Sequence, residues 1–127
     1  MRRILKHLAI TILIIAVVCF AGYRYIQGNL DRLAKTPIAE IDLSKIANGT
    51  YRGKCVSFPI TVIVDVVVEN HSFNSIILIQ HTNGQGQGAE ALPDRIVAAQ
   101  SLQVDTVAGA TYSSKAMLLA VTDALKP

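Results

Sequence analysis

The chain has 127 residues, 51% of them apolar, with 12 Lys and Arg against 9 Asp and Glu for a net charge of +3. That length accommodates one domain. Arg2, Arg3 and Lys6 carry the whole excess, and from residue 7 onward the two signs balance at 9 each. The pI near 9.0 therefore reports the N-terminal segment, and the chain has no clustered basic stripe of the kind that binds nucleic acid. Two cysteines, Cys19 and Cys55, with no CxxC and three scattered histidines (His7, His71, His81), give neither a disulfide framework nor a zinc, haem or iron–sulfur site.

No charged residue occurs from Leu8 to Tyr23. Continuing to Ile26 gives the roughly 17–25 apolar residues a spanning helix needs, with Arg24 placed to snorkel and Tyr23 and Tyr25 placed for an aromatic belt. Residues 8–26 are read as a transmembrane anchor behind a short cytoplasmic n-region, residues 1–7. The rival is a cleaved signal peptide, but Cys19-Phe20-Ala21 makes a poor cleavage site and Val18 argues against lipidation of Cys19. Arg2, Arg3 and Lys6 favour an N-inside orientation; Arg24, Arg32 and Lys35 on the far side weaken it. The rest of the chain is then expected on the extracytoplasmic face of the cell membrane, single-pass.

Residues 27–46, which mix charges with Pro37, read as a linker or a short helix on the membrane surface. A domain is expected over residues 47–127, opening at the Ala47-Asn48-Gly49 turn signal. TYRGKCV predicts a strand with Tyr51, Gly53 and Cys55 on one face and Arg52 and Lys54 on the other. ITVIVDVVVE is the clearest strand, with Ile60, Val62, Val64, Val66 and Val68 on one face and β-branched residues throughout. Asn70-His71-Ser72 predicts a turn and FNSIILIQ the returning strand of an antiparallel hairpin. HTNGQGQGAE reads as a glycine-rich loop that matches neither GxGxxG nor a P-loop. ALPDRIVAAQ predicts a short helix with Pro93 and Asp94 in its first turn and Ile96, Val97 and Leu92 toward the core. SSKAMLLAVTDALKP predicts a terminal helix with Met117, Leu118, Val121, Ala124 and Leu125 on its apolar face and Lys115 and Thr122 away from it. The fold class is α+β: a short antiparallel β-sheet of about three strands with two packed helices, preceded by one N-terminal transmembrane helix.

The stretch VDTVAGATYSS, Val104 to Ser114, leads into that terminal helix. The first N–H groups of a helix lack internal partners and its N-terminal end is positive. Small residues at Gly109 and Ala110 let a ligand approach the backbone, so an anion site for a phosphate is one reading. Thr111 brings a hydroxyl to it, and Tyr112, Ser113 and Ser114 add others. The second reading is that Thr111 or Ser113 is the N-cap and nothing more.

Asp105-Thr106-Val107-Ala108-Gly109-Ala110-Thr111 with Ser113-Ser114 behind it resembles the flavinylation motif of the FMN-binding domain family. That family includes the peripheral FMN subunits of the sodium-pumping NADH:quinone reductase and the Rnf complex, and small membrane-tethered flavin carriers. NGTYRGKC, the ITVIVDVVVE hairpin, the QHTNGQGQGAEALPDRIVAAQSLQVD passage and the terminal helix follow in the family's order, so the likeness runs from about Asn48 to Leu125. The resemblance implies FMN as cofactor, joined through a phosphoester to Thr111, with Asp105, Gly109 and Ala110 completing the recognition sequence. Ala108 stands where the family commonly has Ser or Thr. It implies a flavin transferase that uses FAD and Mg²⁺, and membrane or extracellular electron donor and acceptor proteins. Val107, Leu102 and the His81–Gly88 loop are expected to bed the flavin ring, with His81 as a candidate hydrogen-bond partner. The expected role is electron transfer without a catalytic residue set of the chain's own. Non-covalent FMN binding, a membrane-anchored interaction domain without cofactor, and a hydrolase using Ser113 or Ser114 with His81 and Asp105 are the alternatives.

Overall fold

A computed structural model of the chain describes residues 1–82 and 86–127. Helix α1 (Arg2–Lys35) precedes strands β1 (Gly49–Ser57), β2 (Ile60–Glu69) and β3 (Ser72–Thr82), helix α2 (Leu92–Ala99) and helix α3 (Thr111–Ala124). The strands form one antiparallel meander in the order β1-β2-β3, with α3 across β1 and β2 and α2 against β3. The expected α+β class is the observed one.

Helix α1 is long and apolar enough to cross a membrane, and nothing in the fold covers its apolar stretch. It could serve as a single membrane anchor. The helix does not stop at the end of that stretch. Ile26, Leu30 and Leu33 recur at helical spacing and form a stripe that meets the domain core, where Leu33 is buried and Leu30 partly so. Residues 27–35, read from sequence as the start of a linker or surface helix, thus continue the same helix. It ends where Pro37 forces the preceding residue out of the helical region: Thr36 is extended, and its N–H donates to the Arg32 carbonyl at 3.0 Å. The chain then runs extended over the domain, and Ile38, Ile41, Leu43 and Ile46 pack against the core.

The alternation in β2 places Val62, Val64, Val66 and Val68 wholly in the core, while Thr61, Ile63, Asp65 and Val67 lie on the outer face, half-buried. At the β2–β3 turn Asn70 and His71 both have left-handed φ, 50° and 59°, as a two-residue type I′ hairpin requires. The Asn48 side-chain oxygen accepts the Asn70 N–H at 2.9 Å.

Two side chains satisfy open edges of the sheet. The Gln100 amide mimics a strand residue: its Oε1 accepts from Phe73 N and its Nε2 donates to Phe73 O, both at 2.8 Å. On the opposite edge the Lys54 N–H donates to Asp123 Oδ2 at 3.0 Å. On the outer face Arg52 grips Asp65 with two bonds of 2.6 and 2.7 Å, and the hydrogen bonds from Arg52 lower the Asp65 carboxyl below its ordinary value of 3.8.

The sheet and α3 approach most closely at Gly53. A Cβ there would overlap the Ala120 carbonyl oxygen and the Ala124 backbone nitrogen. Ala116, Ala120 and Ala124, spaced four apart, present one small-residue stripe, and all three are buried. Nine of the 14 residues of α3 are buried, because the helix packs on the sheet and also touches α1. This corrects the placing of Thr122 away from the apolar face: it is 3% exposed, and its hydroxyl donates back to the Leu118 carbonyl at 2.9 Å. Val97, expected to face the core, is only partly buried beside Ile96 and Leu92, which are fully so.

Gly53→Ala should destabilise the fold by at least the roughly 1–3 kcal/mol typical of overpacking, because backbone must move to admit the methyl group. Thermal unfolding of the full chain in detergent would read this as a lowered midpoint. The Arg52–Asp65 pair gives a pH test. The folded carboxyl titrates below its unfolded value, so its stabilisation is present above the ordinary value of 3.8 and is lost as pH falls through the lower folded one. The unfolding midpoint of Asp65→Asn should lie below that of the parent at neutral pH, and the gap should close in acid below that value.

Candidate functional site

The segment between α2 and α3 has little regular structure, and a few contacts shape it. Leu102 is buried. Val107 to Ala110 form a tight turn closed by an Ala110 N–H to Val107 carbonyl bond of 2.9 Å. Its third residue, Gly109, has φ of +77°, which glycine adopts without steric cost. The turn is pinned from behind, where the Ser114 hydroxyl accepts the Val107 N–H at 3.0 Å. Gly88 lies against the same turn: a Cβ there would sit 3.3 Å from Val107 Cγ1 and 3.8 Å from the Ala110 Cβ.

This turn delivers the chain into α3. Ala110 occupies the cap position and, among the described residues, no side chain caps the helix. That corrects the expectation that Thr111 or Ser113 is the N-cap. The turn sets the helix start one residue early, which places Thr111 in the first helical position with its side chain exposed. The first-turn N–H groups thus lack a side-chain acceptor, at the positive end of the helix.

A pocket of about 310 Å³, open on one side, lies over this helix start. Gly109, Ala110, Thr111, Tyr112 and Ser113 form one wall, while Leu30 from α1, Pro59 and Ile60 from the start of β2, and Gly86 form the others. One part is therefore polar and ready for an anion, the other apolar. Ser113 strengthens the first assignment. It is 2% exposed and, among the described residues, its hydroxyl oxygen has no hydrogen-bond partner. A buried hydroxyl without a partner costs about 1–3 kcal/mol, and a ligand oxygen in this pocket would relieve that.

The other sequence-derived candidates fall in different places. Val107 and Gly88 support the turn from beneath the pocket, and Ala108 is exposed at its tip. Ser114 points inward as the pin. Leu102 lines a separate concavity with Phe73 and Gln100, and Asp105 another with Arg95 and Ala98. His81 is not a loop residue, because β3 extends through Thr82. Its side chain is 2% exposed, with Nδ1 3.3 Å from Glu90 Oε1. Of the glycine-rich stretch, residues 83–85 lie outside the described residues, and Gln87–Ala91 form a short 3-10 turn. Sequence reasoning missed Leu30, Pro59 and Ile60, whereas Gly86 belongs to the His81–Gly88 loop expected to bed the ring. Leu30 falls in an apparent linker and Ile60 reads as ordinary strand core, so only the tertiary fold marks them.

A pocket with a helix N-terminus on one side and an apolar wall on the other suits a ligand that joins a phosphate to an apolar ring system. Residues 56–126, more than half of the chain, match the model of the FMN-binding domain, and the chain belongs to that family. Among curated proteins, none matches it. FMN is the cofactor this membership implies, and the residues fit it. The first turn of α3 with the Ser113 hydroxyl would receive the phosphate, and Leu30, Pro59 and Ile60 would line the ring's side.

Ser113→Ala separates a ligand hydroxyl from a packing one. The cofactor-free chain should keep its stability or gain about 1 kcal/mol on losing an unsatisfied buried group, while its affinity for FMN falls. Unfolding midpoints with and without added FMN, together with a flavin-fluorescence titration, would measure both. Unchanged FMN affinity in the variant would remove Ser113 from the site.

Proposed function

We propose that the chain is a membrane-anchored flavoprotein whose FMN is joined by a phosphoester to Thr111 on the extracytoplasmic side, and that it passes electrons between a donor and an acceptor at that surface. The observation that carries this reading is the place of Thr111. It is the exposed first residue of α3, in the wall of the pocket, on a helix start that no side chain caps. Its Oγ1 is accessible to a flavin transferase, and transfer of the FMN phosphoryl group from FAD to that oxygen, with Mg²⁺, would release AMP.

Each part of the pocket then has a task. The helix start stabilises the one remaining negative charge of the diester, by about 0.3–1 kcal/mol at an exposed position. The Ser113 hydroxyl donates to a phosphate oxygen. The Val107–Ala110 turn keeps the approach to the backbone free of side-chain bulk, since among the described residues no atom beyond its two chain neighbours lies within 4 Å of where a Gly109 Cβ would be. Leu30, Pro59 and Ile60 keep water from one side of the ring. The bound flavin supplies the redox chemistry, and the chain supplies attachment, orientation and electrostatic setting. This is an electron-transfer module rather than an enzyme with its own small-molecule substrate.

A second reading has support from the same serine. A buried hydroxyl without a partner would serve a reversibly bound phosphate equally well, which makes the chain a non-covalent FMN-binding accessory domain. Intact mass of the full chain, coexpressed with an extracytoplasmic flavin transferase beside a Thr111→Ala control, decides between them. The expected result is a gain of one FMN less one water, absent from the control. A yellow but unmodified protein would establish reversible binding. A colourless one, with the transferase active on another acceptor, would leave a membrane-anchored interaction domain.

A further inference from the structure

Two large side chains beside the pocket are largely exposed among the described residues. Val56 is 67% exposed and Phe58 59% exposed. They lie at the turn from β1 to β2, which is tied to α1 by two hydrogen bonds. Asn29 Nδ2 donates to the Phe58 carbonyl, and the Ser57 hydroxyl donates to the Asn29 carbonyl, each at 3.3 Å. Pro59, in the same turn, shares the pocket wall with Leu30 of α1.

These ties fix the height of the turn along α1. The apolar stretch ends at Ile26, and Asn29 lies three residues further along one unbroken helix, roughly 4.5 Å along its axis. The headgroup layer on each side of a bilayer is about 5–8 Å thick, the difference between the whole membrane and its hydrocarbon core. The turn therefore stands at headgroup depth. Tyr23 and Tyr25, 58% and 64% exposed on α1, lie about 6–9 Å before Asn29 along the axis, at the hydrocarbon edge of that layer, where aromatic belts sit. The sequence around the turn suits that layer, with no acidic residue from Lys54 to Val64 and with Arg24 on the adjoining turn of α1.

We propose that Val56 to Pro59 form a second membrane contact, seated in the lipid headgroup layer beside α1, which holds the mouth of the pocket at the bilayer surface. The occupant of this apolar surface is lipid, because the surface continues that of the spanning segment. The proposal rests on the reading of α1 as a membrane anchor and is independent of how FMN is held. Partners would then meet the pocket from the membrane plane rather than from bulk solvent.

The chain contains no tryptophan, so single-tryptophan variants report depth without background. The full chain would be reconstituted in phosphatidylcholine and phosphatidylglycerol vesicles, with or without lipid spin-labelled near the headgroup. Phe58→Trp and Val56→Trp are the probes, Tyr25→Trp the reporter of the anchor, and Thr50→Trp, at the other end of β1, the solvent reference. Quenching of the Phe58→Trp and Val56→Trp emission by at least twofold, with a blue shift, beside an unquenched Thr50→Trp, is the expected result. If Tyr25→Trp is quenched while both turn probes behave as Thr50→Trp does, the contact is overturned and the anchor stands. If Tyr25→Trp is also unquenched, the anchor reading fails and the contact fails with it.

Discussion

The approach of α3 to β1 at Gly53 is the constraint on which the rest of the structure depends. A helix start is useful as a ligand site only if its backbone is held at a fixed place, and α3 is held by contact between main chain and main chain. Gly53 on the strand and the Ala116-Ala120-Ala124 stripe on the helix remove the side chains that would otherwise keep the two apart. Longer side chains would leave room for α3 to slide or tilt. With none there, the core valines of β2 and the buried Met117 and Val121 fix the register of the helix. The position of Thr111, nine residues before Ala120 along α3, follows from that register.

The turn before α3 then acts as a second constraint. It is fixed by the Ser114 hydroxyl, which accepts the Val107 N–H. Ala110 at the cap position has no hydroxyl or carboxylate to offer. The first turn is thus left with its donors uncommitted. Local stability is sacrificed here, since a side-chain cap is worth about 1 kcal/mol. Loss of a favourable local interaction beside a buried hydroxyl without a partner is a pattern that marks sites built for a ligand.

How far this was legible in the sequence depended on whether a feature was local. The β2 alternation and the Asn70-His71 turn are properties of neighbouring residues, and both could be read directly. So could the small-residue approach to a helix start at Gly109-Ala110-Thr111. The N-cap was misjudged because hydroxyl residues near a helix start usually serve as caps, and only the fold shows that Ala110 takes that place, with Thr111 and Ser113 already inside the helix. Thr122 was misplaced because one apolar face was counted, whereas α3 has neighbours on more than one side. His81 was read into the loop because glycines follow it closely, although β3 runs on through Thr82. The apolar half of the pocket was invisible for a stronger reason. Leu30 on α1 and Pro59 and Ile60 at the start of β2 come from separate parts of the chain, and nothing in their local patterns points to one another.

The shape of the pocket bears on why a covalent tether would be useful. At about 310 Å³ it lies at the lower end of the range for small-molecule sites, and such sites hold tightly when they enclose most of the ligand surface. This one is open on one side, so a ring seated in it keeps much of its area exposed, and burial alone gives limited affinity. Exposure is nevertheless what electron exchange with a partner requires. Deepening the pocket to retain the cofactor would hide the ring from that partner. A phosphoester at Thr111 removes the conflict, since retention then depends on a bond at the helix start and the ring can stay shallow. The continuous α1 joins the pocket to the apolar segment: one helix is long and apolar enough to cross a membrane, and with Leu30 it supplies part of the pocket wall.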